Sequence, residues 1–485
     1  MLTRLYPVLL TALLAVWLLL LPAGLGRLRR RLKAARPGTG WLLFLLLAGA
    51  LAARLAAPAA HLVYDDEFEQ LDGARRLAET GVYAETLVGG LPGFDVLSPM
   101  TWPAGHPVAL AGVFKLFGNE SSVAFAWSAV LSALTVLFVF WAALELFGDE
   151  RGALAAGFLW AVSPLALRYA GACDSTTPSL LWCAAAFAAL AAREAEPGPL
   201  LDAFAATTLA YAVQMRFENA LLLAYAAFAV RRRSLLLPAA AGLVFPAAIF
   251  WANRSAGLPG FSPATVAPWV NFLRQAPGDA AFLAAPVSLG LLLAPAAAAS
   301  LGHAPARRLA LLAAALFTVY AGYYHGAFAR DTDDRYYLAL MLPLSLAAVP
   351  ALSTAAIPAA LLAAGMALHP AAGPDPAHDA ARRLLEKAAP LIPERSYVVA
   401  FNPPFVREVA HRPAAWSYLL LEDPEGFDRG RALAGAAPEI VLYKDWTWRS
   451  RRDDADRLER GLRSRFNEKV LASDGTDSVV LLTPR

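Results

Sequence analysis

The chain has 485 residues, of which 58% are hydrophobic and 17% charged, with a formal net charge of +3. Its apolar residues gather in continuous blocks of membrane-spanning length, which excludes an ordinary soluble protein and, because polar and apolar residues do not alternate, a membrane β-barrel. The chain reads as a mainly α, polytopic helical membrane protein with about 11–13 spans and no nucleic-acid partner; the net charge says little by itself, because the placement of charge matters more than its sum.

The first apolar segment, Leu5 to Leu21, is followed rather than preceded by its basic cluster and has no small-residue cleavage site, so it reads as an anchor helix and not a signal peptide. The basic stretch Arg27 to Arg36 reads as a cytoplasmic loop, which sends Trp41 to Ala60 outward. That segment ends at His61-Leu-Val-Tyr-Asp65-Asp66-Glu67-Phe-Glu69, four carboxylates within a few residues of a membrane exit. Charge is costly in lipid, so such a cluster marks a candidate functional site. Glu69 to Thr80 then reads as an amphipathic helix stopped by Gly81, and Gly89 to His106 as a Gly/Pro-rich loop before the short apolar run Pro107 to Phe117.

Ser121 to Phe147 returns inward, Ala153 to Ala170 goes out to a bend carrying Asp174, and Pro178 to Ala192 comes back. Leu200 to Gln214 and Asn219 to Val230 enclose Arg216-Phe-Glu218 at an outer turn, with Arg231 to Arg233 on the cytoplasmic side. Leu235 to Trp251 leads to a polar, Pro-rich loop from Asn253 to Gly278, and Phe282 to Ala299 leads back in. Leu309 to Tyr324 then reaches a cluster with Arg330, Asp331, Asp333, Asp334 and Arg335, and two closing spans end near Leu368. Every strongly basic loop falls on one side and every acidic or mixed cluster on the other. Cys173 and Cys183 flank the start of one helix, too far apart along it for a disulfide.

From His369 the composition becomes charged and mixed. Ser396 to Phe401, Glu439 to Tyr443, Lys469 to Ala472 and Ser478 to Leu482 read as strands; Asp379 to Ala389 and Asp453 to Arg463 read as helices. The alternation predicts a small α/β domain on the non-cytoplasmic side, with Trp446 and Trp448 at the membrane interface or packed within it.

Four polar groups therefore gather at the outer ends of apolar helices: Asp65-Asp66-Glu67, Asp174, Arg216 with Glu218, and the cluster ending in Arg335-Tyr336. A transporter would carry its charges nearer the midplane, on interrupted helices. Charges at one rim suit chemistry at the membrane surface on a substrate whose apolar tail lies in lipid. Each group also has a plainer reading: a solvated cap, an N-cap at Asp174, a self-paired Arg216–Glu218 turn, a self-compensating loop at Arg330–Arg335 and a structural His106.

The order of these residues resembles the GT-C glycosyltransferases. Asp66-Glu67 followed by an amphipathic stretch ending in Gly81-Val-Tyr83 is similar to that superfamily's first outer loop; Asp65, preceding the pair, departs from the pattern. Pro103-Ala-Gly-His106-Pro107, Ser163-Pro-Leu-Ala-Leu-Arg168-Tyr before Asp174, and Arg335-Tyr336 before Pro343 resemble its later segments. Nearest in kind are bacterial members similar to protein mannosyltransferases and lipid A aminoarabinose transferases. The resemblance divides the chain into an anchor helix and basic cytoplasmic loop (1–40), a transmembrane catalytic domain (41–368) and a soluble extracytoplasmic α/β domain (369–485).

The resemblance implies inverting sugar transfer from a polyprenyl-phosphate donor, at the outer face of a bacterial inner membrane, to a glycolipid, polysaccharide or protein acceptor. An acceptor hydroxyl needs a carboxylate base, for which Asp66 is the match and Asp65 the alternative; Glu67 would orient the base or bind the acceptor. The phosphate leaving group needs fixed cations, Arg335 first and Arg216 second. Asp174 could hold an arginine or a divalent metal, and no ligand set in the sequence decides whether a metal takes part. Tyr83, His106, Glu218 and Tyr336 complete the candidate substrate-binding set. The rival readings are a carrier of lipid-linked saccharide and a non-catalytic envelope scaffold.

Overall fold

The computed structural model of the chain describes residues 2–91, 94–99, 102–229, 240, 243–244, 247, 268–322, 327–329, 333–367, 376–444, 452–463 and 465–485. In chain order its first helices are α1 (Leu2–Ala34), α2 (Thr39–Ala56), α3 (Tyr64–Thr80), α4 (Gly105–Phe117), α5 (Ser121–Phe147), α6 (Glu150–Val162), α7 (Pro164–Ala170), α8 (Thr176–Ala195), α9 (Pro199–Ala212) and α10 (Leu221–Ala229). They are followed by α11 (Pro268–Phe282), α12 (Gly290–Ala299), α13 (Ala304–Gly322), α14 (Asp334–Ala347), α15 (Val349–Thr354) and α16 (Ala356–Ala367). The chain divides into two compact units, one of Met1–His61 with Thr101–Ala372 and one of Leu62–Met100 with Gly373–Arg485.

Among its described residues the first unit contains helices and no strand. Among the described residues, four helices are long and apolar enough to cross a membrane: Thr3–Ala34, Thr39–Ala56, Ser121–Phe147 and Ala304–Gly322. The pair α6 and α7, bent by 56° at its break, would make a fifth. The expected span Leu235–Trp251 and the basic triplet Arg231–Arg233 lie outside the described residues, apart from four isolated positions of the span.

One expected loop is helix. Arg27 to Lys33 continue α1 rather than forming a turn, because carboxylates from other helices draw the basic side chains along its last turns. Arg27 is paired with Glu145 at 2.9 Å and Glu196 at 2.7 Å, and Arg30 also meets Glu196 at 2.7 Å. The C-terminal ends of α1, α5 and α8 therefore share one end of the unit. The next turn belongs there too, since Glu150 at the start of α6 accepts from Thr39 Oγ1 at 2.7 Å and from the Arg36 N–H. The segment Asn253–Gly278, read as a polar loop, likewise contains the start of α11, whose Phe272 packs edge-on against Phe317 of α13. Its aromatic and aliphatic residues Trp269, Val270, Phe272 and Leu273 supply a helical apolar stripe that the loop composition masked.

The bend between α6 and α7 follows from Pro164. A proline has no N–H, so the carbonyl four residues earlier, at Trp160, loses its helical donor. Arg54 of α2, only 1% exposed, supplies it instead: its guanidinium donates to Trp160 O at 3.2 Å, Ala161 O at 3.1 Å and Ser132 Oγ at 2.7 Å. Ser163 then caps α7 by accepting from Ala166 N–H at 3.3 Å. Elsewhere the start of α4 is fixed by close approach: Gly105 donates to Gln214 O at 2.9 Å, and a side chain on Gly105 would meet that carbonyl oxygen at 2.5 Å.

The second unit is built on a seven-stranded mixed sheet. Its strands are β1 (Ala84–Gly89), β2 (Val96–Pro99), β3 (Tyr397–Ala400), β4 (Ala414–Trp416), β5 (Ile440–Lys444), β6 (Phe466–Ser473) and β7 (Ser478–Pro484), in the order β2-β1-β4-β3-β5-β7-β6. β3 runs parallel to both β4 and β5, whereas the β1–β2 hairpin joins β4 antiparallel through Val88 opposite Ala415 and Gly89 opposite Ala414. All four strands expected in the C-terminal segment are present. Of the three others, β1 runs up to the Gly/Pro-rich stretch, β2 lies within it, and β4 has only three residues.

The remaining helices of this unit are α17 (Pro376–Ala388), α18 (Pro403–Ala410), α19 (Ser417–Glu422), α20 (Pro424–Leu433) and α21 (Arg452–Arg463). One face of the sheet, with Val88, Val399, Leu442 and Val480, packs with Phe427 of α20 and Ala455, Leu458 and Leu462 of α21. Alternate residues point the other way, where Tyr443 donates its O–H to Ala381 O of α17 at 3.0 Å. Trp446 and Trp448 lie outside the described residues.

Candidate active site

The acidic cluster is part of a helix. α3 begins at Tyr64, five residues before the expected Glu69, so Asp65, Asp66 and Glu67 occupy its first turns; Gly81 ends it in the left-handed conformation (φ 70°). Glu67 explains the earlier start. It is fully buried, and Oε1 accepts the N–H groups of Leu62 at 2.9 Å and Val63 at 3.0 Å, donors that the helix itself leaves without partners. One oxygen of Glu67 thus holds the turn, while Asp66 beside it is only partly buried. The Asp65 side chain lies outside the described ones. Tyr83, buried, lies beyond the other end of α3 and leads into β1.

In the first unit the other candidates converge on the N-terminal turn of α14, where Asp334, Arg335 and Tyr336 are each about 7% exposed. Arg335 Nη1 stands 4.0 Å from Asp174 Oδ2, and its Nη2 donates to the Tyr336 hydroxyl at 3.2 Å. The Tyr336 ring has the Arg335 guanidinium 5.0 Å and the Arg216 guanidinium 5.2 Å from its centroid, within cation–π range of both. Arg216 donates to Glu218 at 2.5 Å, and Glu218 also accepts from Tyr320 of α13 at 3.0 Å. Asp174 does not cap α8: Ser175 is the N-cap residue and makes no side-chain cap bond, while Asp174 Oδ2 accepts from Thr176 Oγ1. His106, buried at the start of α4, directs Nε2–H to Cys173 O at 3.2 Å, one residue before Asp174. Both cysteines are free and buried.

Asp334 has a partner that its neighbours in sequence do not suggest. It pairs with Arg168 of α7 at 2.6 Å and accepts from the Tyr169 hydroxyl at 2.5 Å, both outside the Arg330–Arg335 run. Arg330 and Asp331 lie outside the described residues. Arg168, Tyr169, Tyr320 and Arg54 were passed over as site or scaffold groups. The available signal was that Arg168 and Arg54 each sit in an otherwise apolar helix, where an unexplained cation implies a buried partner.

The cluster holds three arginines, Arg168, Arg216 and Arg335, and three carboxylates, Asp174, Glu218 and Asp334. The distances rank the pairs. Arg168 and Arg216 hold their carboxylates at 2.6 and 2.5 Å, whereas the Arg335–Asp174 separation of 4.0 Å is the longest.

The fold is that of the GT-C membrane glycosyltransferases. Residues 102–252 match the family model described as dolichyl-phosphate-mannose-protein mannosyltransferase. Among solved structures the chain is similar to ArnT from Cupriavidus metallidurans bound to undecaprenyl phosphate, with a TM-score of 0.57, 15% identity, and coverage of 91% of this chain and 98% of that one. It is also similar to the archaeal oligosaccharyltransferase AglB from Archaeoglobus fulgidus in complex with an inhibitory peptide and a dolichol-phosphate, with a TM-score of 0.51, 14% identity, and coverage of 91% and 74%. No curated protein sequence matches the chain.

Proposed function

We propose that this glycosyltransferase moves a sugar from a polyprenyl-phosphate donor to an envelope acceptor at the non-cytoplasmic face of a bacterial inner membrane, with inversion at the anomeric carbon. The observation that carries the reading is the buried cluster at the start of α14, where Arg335 and Arg216 flank the Tyr336 ring. As the bond from sugar to phosphate breaks, negative charge accumulates on the leaving phosphate, and a fixed guanidinium fork is the side chain best shaped to receive it. The similarity to structures holding undecaprenyl phosphate and dolichol-phosphate supports a lipid-linked phosphate as the group bound.

Asp66 takes the proton of the acceptor hydroxyl as that oxygen attacks, and Asp65 is the alternative base. Glu67 keeps the turn that presents them. His106 supports the bend that carries Asp174, and Asp174 orients Arg335. The basic end of the first unit, at Arg27, Arg30 and Arg36, suits the cytoplasmic side under the positive-inside rule, which supports a non-cytoplasmic α14 cluster.

The test is sugar transfer in membranes carrying a labelled lipid-linked donor, with Asp66→Asn and Asp65→Asn compared. Removing a general base lowers the rate by roughly 10²–10⁴-fold. Full activity in both variants would remove the base from this reading. Movement of donor between leaflets without a new glycosidic bond would instead support a carrier.

A further inference from the structure

The second unit contains a polar clamp on the helix that bears the acidic turn. Asp72 lies two turns along α3 from Asp66. Its Oδ2 accepts the Thr86 N–H of β1 at 2.8 Å and its Oδ1 accepts from Arg407 Nη2 of α18 at 2.8 Å. Arg407 completes the ring by donating through Nη1 to Thr86 O at 3.2 Å. Helix α3, strand β1 and helix α18 are thereby closed into one cycle of charge-assisted bonds around a fully buried threonine. A second pair, Arg75 with Glu408 at 2.5 Å, ties the same two helices one residue further on. At the start of α3 an aromatic pair does the same, Phe68 against Phe405 at 5.1 Å, and Phe405 in turn packs against Tyr443 of β5.

These contacts share a geometry. Phe68, Asp72 and Arg75 are spaced by four and three residues, so they form a single stripe of α3, and all three meet α18. α18 is itself fixed: Pro403 opens it, Asn402 caps it by accepting the Phe405 N–H at 3.0 Å, and it lies between β3 and β4 in sequence. The Asp72–Arg407 pair is only 13–17% exposed, in surroundings where breaking one partner costs far more than at an open surface.

We propose that Arg407 and Glu408 are positioning residues for sugar transfer: through Asp72 and Arg75 they fix the rotation and axial placement of α3, and so the place from which Asp66 or Asp65 takes the acceptor proton. The inference rests on the carboxylate-base reading above. It gives the C-terminal segment a defined part in the reaction: residues more than three hundred positions away in sequence aim the base. A base must stand within hydrogen-bond reach of its proton, and displacement on the order of 1 Å costs about 10²-fold in rate.

The experiment uses the full-length protein, assayed for transfer in membranes and, purified, by hydrogen exchange across Tyr64–Thr80. Arg407→Gln is expected to lower kcat by about 10–100-fold with donor KM within about twofold, and to lower exchange protection in α3. Arg407→Lys, which keeps the charge on Asp72 but loses the second donor to Thr86, falls between Gln and the parent in both readouts. The reversals Arg75→Glu and Glu408→Arg each reduce protection and kcat, and the double variant regains both. Loss of α3 protection with undiminished kcat overturns the proposal, and so does unchanged protection in Arg407→Gln. Should Arg407→Gln fail to accumulate, the Arg75–Glu408 swap alone decides, since a double variant no better than its singles also overturns the clamp. Failure of the base reading is separable: Asp66→Asn and Asp65→Asn would then be active while the exchange data still report a clamp.

Discussion

The pair between Arg168 and Asp334 offers a sharp test of how the α14 cluster is held. Its two side chains are 8% and 10% exposed and 2.6 Å apart, and the Tyr169 hydroxyl occupies the second Asp334 oxygen. Arg168→Met removes the directly paired cation and leaves a buried carboxylate supported by the Tyr169 hydroxyl and the more distant charge of Arg335. Breaking such a pair from one side costs about 3–5 kcal/mol, because the charge left behind loses its compensation. At about 2 °C per kcal/mol, the lower end of the usual scale and appropriate to a large chain, melting falls by about 6–10 °C. Asp334→Asn keeps an acceptor for Tyr169 but strips Arg168 of that carboxylate, with a loss of similar size. The double variant has neither charge and still satisfies the hydroxyl, so it lies within about 1–2 kcal/mol of the parent, and the two losses fail to add by 2 kcal/mol or more. Thermal unfolding of all four proteins in one detergent, followed by tryptophan fluorescence, completes the cycle. Losses that simply add, or an Arg168→Met variant that melts with the parent, would refute the buried-pair account.

Other consequences are open to test. Arg335→Lys retains charge but not the planar fork, and should reduce transfer by roughly 10²-fold while leaving melting nearly unchanged; a wild-type rate would sever Arg335 from the phosphate. Arg54→Met should lower the melting temperature through the uncapped carbonyls at Trp160 and Ala161, and adding Pro164→Ala, which restores an N–H opposite Trp160, should recover part of that loss. In the turn before β7, N–H groups of Asp477 and Thr476 hold the Asp474 carboxyl below its usual range. A depressed carboxyl contributes stability that is complete above its unfolded pKa, about 3.9, and disappears as pH falls through the lower folded value. Acid unfolding curves of Asp474→Asn should lack that component, and identical curves would contradict it.

How far the sequence reached can be traced through individual residues. Ser121–Phe147 is the helix that the apolar run proposed, because nothing but its own hydrophobicity and length decides it. Arg27 to Lys33 went astray since a run of cations looks like a loop until Glu145 and Glu196 arrive from other helices. The start of α3 was placed late for a related reason: Glu67 was read as orienting the base or binding the acceptor, and its capping of Leu62 and Val63 is invisible until the backbone is laid out. Site membership was more legible than site wiring. Asp174, Arg216, Glu218, Arg335 and Tyr336 were all singled out and do meet, whereas the pairing of Asp334 with Arg168 was not foreseen. Local patterns name charged residues, whereas pairing depends on helices brought together only by folding.

The sheet of the second unit imposes an order of events during synthesis. β1 and β2 leave the ribosome early, but β4, on which the free edge of β1 closes, follows roughly 300 residues later, about 15–60 s at typical elongation rates. Throughout that interval the hairpin exposes a row of unpaired backbone groups and the side of Val88 that the finished core covers. Nascent chains stalled before Ala414 should therefore be the species most prone to strand-to-strand aggregation and most dependent on a holding chaperone. The vulnerable window of this protein closes only as its last quarter is made.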